Sequence, residues 1–259
     1  MSGFLRQVTP LILTYDERPN LERTLRALDW AESIVAVDSG SRDGTAELLA
    51  ADPRVRLFTR PFDSHAAQWS FGLAETGIAS PWVLALDADF VLSGDLVEEL
   101  SRLEPAPETA GYRAPFTYCV GGRPLRSSLL RPQVVLFRRE RGRYVQDGHT
   151  QKLLLDGHVE ALHGRILHDD RKPLSRWLAS QDAYMGQEAE KLWATRLAQL
   201  SWSDRVRRLV IAAPPLALVY CLVVKRGLLD GWAGWHYALE RATAEAILSL
   251  RLLDKLLAR

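Results

Sequence analysis

The sequence predicts an α/β fold in which a mostly parallel central sheet carries helices on both faces, with amphipathic helices following at the C-terminal end. Three observations predict it. Two apolar runs stop on aspartate, Ser33-Ile34-Val35-Ala36-Val37-Asp38 and Trp82-Val83-Leu84-Ala85-Leu86-Asp87-Ala88-Asp89. Such runs read as buried strands whose C-terminal ends open onto a polar crevice, the place where open α/β sheets bind ligands. Strand and helix signals alternate up to about Leu103, which implies right-handed crossovers between parallel strands. After Pro173 the pattern turns helical.

In chain order, Val8–Thr14 reads as the first strand, and Asn20–Leu28 as a helix with Leu21, Leu25 and Leu28 on one side. The Ser33–Asp38 strand leads through Ser39-Gly40-Ser41-Arg42-Asp43-Gly44-Thr45, a turn-forming run, into a helix that ends near Ala51. Val55–Phe58 is a short strand, and a helix over about 64–75 precedes the strand that begins at Trp82. Residues 1–103 form a ligand-binding half of the main domain. Residues 104–172, with short β-like runs such as Val134–Arg138 and Lys152–Leu155 between Gly, Pro and Arg clusters, form a mixed-sheet second half. Residues 173–259 are a helical, membrane-associating region.

Within that last region, Leu209–Val224 has no charge, is flanked by Arg205, Arg207, Arg208 and by Lys225-Arg226, and holds Pro214-Pro215 at its centre. A spanning helix needs roughly 20 apolar residues, so this run reads as an in-plane or re-entrant element, with a kinked core helix as the alternative. Trp232, Trp235 and Tyr237 suit a membrane interface. The helix Ala238–Leu257 places Leu239, Ala242, Ala246, Leu250, Leu253 and Leu257 on one face, with Glu240, Arg241, Glu245, Asp254 and Lys255 opposite.

Composition sets the bounds. The 259 residues are 47% apolar and 25% charged, enough for a sizeable core. A net charge of +1 gives no whole-molecule attraction to nucleic acid. Cys119 and Cys221 are too few for a disulfide framework. No signal-peptide pattern opens the chain, which places its bulk on the cytoplasmic side. The sequence does not fix the oligomeric state.

Asp87-x-Asp89 sets two acids on one short turn, close enough to grip a divalent cation and a ribose together. Alone, the triplet also reads as a helix-capping turn, and Asp38 has the same alternative in its Ser-Gly-Ser loop. Placed together on adjacent parallel strands, three carboxylates around one crevice are costly unless something compensates them. Mg²⁺ or Mn²⁺ suits such an oxygen-rich site.

At these residues the chain resembles a known family. Leu13-Thr14-Tyr15-Asp16-Glu17, Val37–Thr45 and Leu86–Asp89 look like successive motifs of the family 2 glycosyltransferases, and Gln68–Ala74, Val135–Arg139 and Leu228–Trp232 extend the match. The nearest branch is that of bacterial lipopolysaccharide-core glucosyltransferases. The resemblance implies a GT-A, Rossmann-like fold and an inverting transfer from a nucleotide-diphosphate sugar, a UDP-sugar foremost, to a lipid-linked saccharide at the cytoplasmic face of the inner membrane. It implies that Thr14 and Tyr15 line the nucleobase pocket, with Asp16 or Glu17 nearby, and that Asp38 accepts from base or ribose. Gln68 and Arg138 complete the donor set. Asp87 faces ribose and metal, Asp89 ligates the metal, and His168 is a further ligand or a diphosphate contact. Relatives carry a glutamate base where this chain has Thr150, so Asp147 is the expected base and His149 the alternative. Two rivals stay open: a non-catalytic nucleotide-sugar-binding scaffold, and a sugar nucleotidyltransferase, which the absence of a Gly-rich loop after the first strand disfavours.

Overall fold

The computed structural model describes residues 3–147 and 150–258, with the side chains of Asp147 and Thr150 outside the description. The chain divides into two compact units, 1–119 with 130–171 and 120–129 with 172–259. In order, the elements are β1 Val8–Thr14, α1 Arg18–Ala27, β2 Ile34–Asp38, α2 Thr45–Ala51, β3 Val55–Thr59, α3 His65–Ala74, β4 Trp82–Asp87, β5 Phe90–Leu92 and α4 Gly94–Ser101. There follow β6 Thr109–Ala114, β7 Phe116–Val120, β8 Arg123–Pro124, β9 Gln133–Arg138, β10 Gly142–Asp147, β11 Thr150–Leu155, β12 His158–Ala161 and β13 Ile166–His168. The helical part holds α5 Leu174–Ala194, α6 Trp202–Arg207, α7 Ala213–Val219 and α8 Gly231–Leu257.

In the first unit a seven-stranded sheet runs β12-β6-β9-β4-β1-β2-β3. Strands β4, β1, β2 and β3 are parallel, while β9 runs antiparallel to both β4 and β6. The expected α/β class with a mostly parallel sheet is therefore present, in mixed form. Alternation along each strand explains why both faces are covered. Ile12, Ile34, Ala36, Leu84 and Leu86 join the core that takes in Leu21 and Leu25 of α1, Leu49 of α2 and Leu96 of α4. Leu11, Val35, Val37, Val83 and Ala85 face the other way, onto Trp69 and Leu73 of α3, with Tyr144 and Leu153 of the β10–β11 hairpin packed alongside.

Parallel order fixes the crevice. β1 sits between β2 and β4, with Thr14 opposite Asp38 and Leu13 opposite Asp87. The two aspartate-ended strands are thus not neighbours, as the sequence reading had them. Chain order reverses at β1, and such a switch point opens the crevice. With strands about 4.8 Å apart, Asp38 and Asp87 stand about 10 Å from each other across β1.

Close packing beside the site gives one sharp expectation. A Cβ added to Gly164 would lie 2.3 Å from Leu96 Cα and 2.6 Å from its backbone nitrogen. Helix α4 is also tied there, because Glu99 accepts from the backbone N–H groups of His163 and Gly164. Backbone cannot swing aside as a side chain can, so Gly164→Ala is expected to cost about 3 kcal/mol by urea denaturation. A loss below about 0.5 kcal/mol would mean that this contact is not built as described.

The second unit packs α5 against α8 through Ala189, Leu192, Leu248 and Leu252. Pro214 and Pro215 fall in the first turn of α7, where a missing N–H is no loss, so they open a helix rather than kink one. Among the described residues no helix is long and apolar enough to cross a membrane. On α8 the packed stripe is not the leucine face read from the sequence. Tyr237, Ala238, Leu248 and Leu252 are buried, whereas Leu239, Leu250 and Leu257 are exposed. Glu245, expected on the polar side, is partly buried in an ion pair with Arg207 at 2.7 Å.

Candidate active site

Three loops at the C-terminal ends of β1, β2 and β4 form the site. The first two are laced together. Asp38 is 1% exposed, and its carboxylate accepts from Thr14 Oγ1 at 2.9 Å, from the N–H groups of Gly40 and Ser41 at 2.9 Å each, and from Ser41 Oγ. These four donors match a carboxylate's accepting capacity. Asp38 therefore organises the Ser39–Thr45 loop, the turn-forming role that its place in the Ser-Gly-Ser run also allows. Gly40, at φ +92°, makes the bend that turns two successive N–H groups back onto it.

Across the crevice lip, Asp16 N–H donates to Ser41 Oγ and Glu17 N–H to Thr45 Oγ1, both at 2.7 Å, while Asp16 accepts from Arg42 N–H at 2.7 Å. Asp16 adopts φ +53°, a left-handed conformation that Asp tolerates better than most residues. This lacing leaves Tyr15 52% exposed at the end of β1. Gln68 is 1% exposed. It donates to Ser39 Oγ and Arg60 O and accepts from Arg60 at 2.9 Å each, so it braces the loop from α3.

The third loop carries Asp87 and Asp89. Asp87 is exposed at the end of β4, and Asp89 is buried. The turn does not cap a helix: Ser93 caps α4 by accepting from Leu96 N–H. Instead Ala88 O accepts from Thr24 Oγ1 at 2.6 Å and Asp89 O from Asp169 N–H at 3.1 Å, which fixes the turn to α1 and to the end of β13. His168 follows from that register, since β13 pairs with β5 and sets His168 opposite Phe90. Its Nε2 donates to Asp89 Oδ2 at 3.0 Å, and the rings of Phe90 and Tyr118 flank it at 5.4 and 4.9 Å. Burial works to lower the imidazole pKa, but the Asp89 carboxylate and its hydrogen bond, with Asp170 and Asp87 behind, raise it on balance. Tyr144 beside Asp87 is held far above its ordinary value by burial and by that carboxylate.

The donor atoms fit a divalent cation shared with a ligand. Among the described residues no three acidic, His or Cys side chains are already clustered for a metal. Mg²⁺-type sites, however, commonly take one or two carboxylates and leave the remaining positions to phosphate and water. Asp89 Oδ2 and His168 Nε2, 3.0 Å apart in that hydrogen bond, would both be donor atoms to a cation once the Nε2 proton is given up. His168 Nδ1 is buried and has no hydrogen-bond partner among the described residues, so Nε2 is the atom turned to the carboxylates.

Arg138 belongs elsewhere. Because β9 is antiparallel to β4, Arg138 pairs with Trp82 at the start of that strand, not with its carboxylate end. The guanidinium stacks 4.6 Å from the Trp82 ring and donates to the carbonyls of Thr109 and Ala106. It lines a cavity of about 560 Å³ with Phe4, Arg102 and Glu104, at the far end of the sheet. Of the expected bases, Asp147 ends β10 with its side chain outside the description, and His149 lies outside the described residues.

One residue was invisible to motif reading. Asn20, 0% exposed, donates to Glu17 Oε2 at 2.8 Å and Asp170 Oδ1 at 2.9 Å, and accepts from Arg23 and from Arg171 N–H. It ties the β1 loop to the segment after His168. Its only sequence signal is a polar residue among the apolar positions of α1.

The profile of the family described as "Glycosyl transferase family 2" matches residues 11–153. The chain belongs to that family. This family 2 glycosyltransferase is 30% identical over 193 residues to the "Lipopolysaccharide core biosynthesis glycosyltransferase LpsC" of Rhizobium meliloti (strain 1021), covering 71% of each chain. It is also 30% identical over 99 residues to an "Uncharacterized glycosyltransferase" of Rickettsia bellii (strain RML369-C), covering 38% of this chain and 33% of that one. Among solved structures, S. aureus TarS 1–349 in complex with UDP-GlcNAc aligns over 97% of this chain and 92% of that one, at 12% identity and a TM-score of 0.46.

Proposed function

We propose that this enzyme moves a sugar, with inversion, from a nucleotide-diphosphate sugar, a UDP-sugar foremost, to a lipid-linked saccharide in envelope glycan or lipopolysaccharide core synthesis. It would work at the cytoplasmic face of the bacterial inner membrane. The observation that carries the reading is the Asp89–His168 pair beside the exposed Asp87, one strand away from the strand end that carries Tyr15. That spacing suits a nucleoside diphosphate, with its base on Tyr15 and its phosphates toward Asp87 and Asp89. The relative named for lipopolysaccharide core biosynthesis supports the acceptor class proposed.

Asp87, Asp89 and His168 would hold Mg²⁺ or Mn²⁺, which when bound stabilises negative charge on the departing diphosphate. Thr14, Asp38 and Gln68 keep the loops in place, and Asp16 and Glu17 shape the lip beside Tyr15. The acceptor hydroxyl attacks the anomeric carbon from the face opposite the leaving group. A carbon–oxygen bond to the acceptor forms as the bond to the diphosphate breaks. Asp147 takes the hydroxyl proton, with His149 as the alternative.

The test incubates the full chain with UDP-sugars and a bacterial lipid extract. Expected are release of UDP, label in the lipid and an inverted anomeric configuration by NMR. In Asp147→Asn transfer should fall roughly 10²–10⁴-fold with UDP binding retained. Release of pyrophosphate, or retention of configuration, would overturn the proposal, and full activity in Asp147→Asn would remove that residue as the base.

A further inference from the structure

The two units carry opposite charge. The unit of residues 120–129 and 172–259 has fifteen Lys and Arg against eight Asp and Glu, a net +7, whereas the other has eighteen against twenty-four, a net −6. The overall +1 hides this division.

The basic unit also shows an uncharged surface along its longest helix. Successive residues of α8 are offset by about 100°, and the packed stripe runs through Ala233, Tyr237, Ala238, Ala244, Leu248 and Leu252. On the opposite side Trp232, Leu239, Leu250 and Leu257 are 87, 53, 62 and 82% exposed, with Trp235 and Leu253 partly so. Ala242, Thr243 and Ala246 fill the same arc, so no charged side chain interrupts it. From Trp232 to Leu257 the stripe is about 38 Å long. A helix with one face packed gains nothing in water from a second apolar face, and exposed apolar surface of this extent marks an interaction site.

We propose that this face of α8 docks in the plane of an anionic lipid bilayer. Charge complementarity selects the occupant. A +7 unit is drawn to anionic headgroups, each basic residue adding to the attraction, while a second copy would bring a second +7 to the contact. Tryptophans at one end of a leucine stripe are the side chains that settle at the headgroup boundary. No described helix is able to cross the membrane, so the contact lies along the surface. The inference adds a docking face to the membrane location proposed above, and it stands or falls on lipid binding, independently of sugar transfer.

Flotation of the full chain tests it, with vesicles of phosphatidylcholine alone and of phosphatidylcholine with about 30% phosphatidylglycerol. The chain should float with the anionic vesicles, at least about tenfold more than with the neutral ones, and less as salt is raised. Leu239→Glu/Leu250→Glu should cut that binding at least about tenfold. Its thermal midpoint and its stabilisation by UDP with Mn²⁺ should not change, because both side chains are exposed and outside the candidate active site. The proposal is overturned if the chain does not float, or if the double variant floats as well as the parent. It is overturned equally if light scattering shows a dimer that the double variant dissolves, which would assign the face to a second copy.

Discussion

Asp89→Asn is expected to lower sugar transfer by at least about 10²-fold and to abolish the Mn²⁺-dependent part of the thermal stabilisation by UDP. The substitution keeps the shape of the side chain, and its amide oxygen can still accept from His168 Nε2, so the 3.0 Å contact survives with little loss of fold stability. The negative charge is what disappears. Asp87 is exposed and His168 carries no negative charge of its own, so Asp89 is the buried anion of the set. A cation bound jointly with a diphosphate depends on that charge. The parallel variant Asp87→Asn should weaken metal-dependent UDP binding less, since water can replace an exposed ligand. If Asp89→Asn keeps full turnover and the full Mn²⁺-dependent shift, the cation does not sit between Asp89 and His168.

The strands that build this site were legible because burial on two faces writes itself into a local run. Ile34–Val37 and Trp82–Leu86 are apolar at every position until the chain reaches the crevice, and the structure ends β2 at Asp38 and β4 at Asp87. The order of those strands was not legible. Nothing in either run says that β1 separates them, because pairing order comes from crossovers and packing outside both segments. The same limit explains Asp38. A carboxylate at a strand end looks alike whether it awaits a ligand or holds a loop, and the loop-holding role shows only in the partners from Thr14, Gly40 and Ser41. Arg138 shows the reverse error, since a motif position said nothing about the antiparallel run of β9 that carries it to the far end of β4. In α8 the sequence offers two apolar stripes, and the leucine-rich one is the exposed one. Small residues such as Ala238 and Ala244 allow close approach and so win the packed side.

Asn20→Asp is the substitution expected to disturb the fold of the site most, and it changes one atom. Asn20 Nδ2 now donates to two carboxylates, Glu17 at 2.8 Å and Asp170 at 2.9 Å, from a position with 0% exposure. Aspartate there loses both donors and, when ionised, sets a third negative charge against the first two in a buried place. The cost at neutral pH should be about 3 kcal/mol or more, read as a fall in the urea midpoint. Its pH dependence identifies the cause. Burial and two carboxylate neighbours raise the folded-state pKa of the new Asp above its unfolded value of about 3.9. The folded state then binds more protons than the unfolded one between those two values, so stability falls as pH rises through that window and is regained on acidification. Asn20→Ala, which removes the same donors without adding charge, should be destabilised by about 2 kcal/mol with no such recovery. Because Asn20 joins the β1 loop to the residues after His168, both variants should also weaken UDP binding while leaving the β10–β11 hairpin unaffected. A pH-independent loss in Asn20→Asp would show that the two carboxylates do not share this amide.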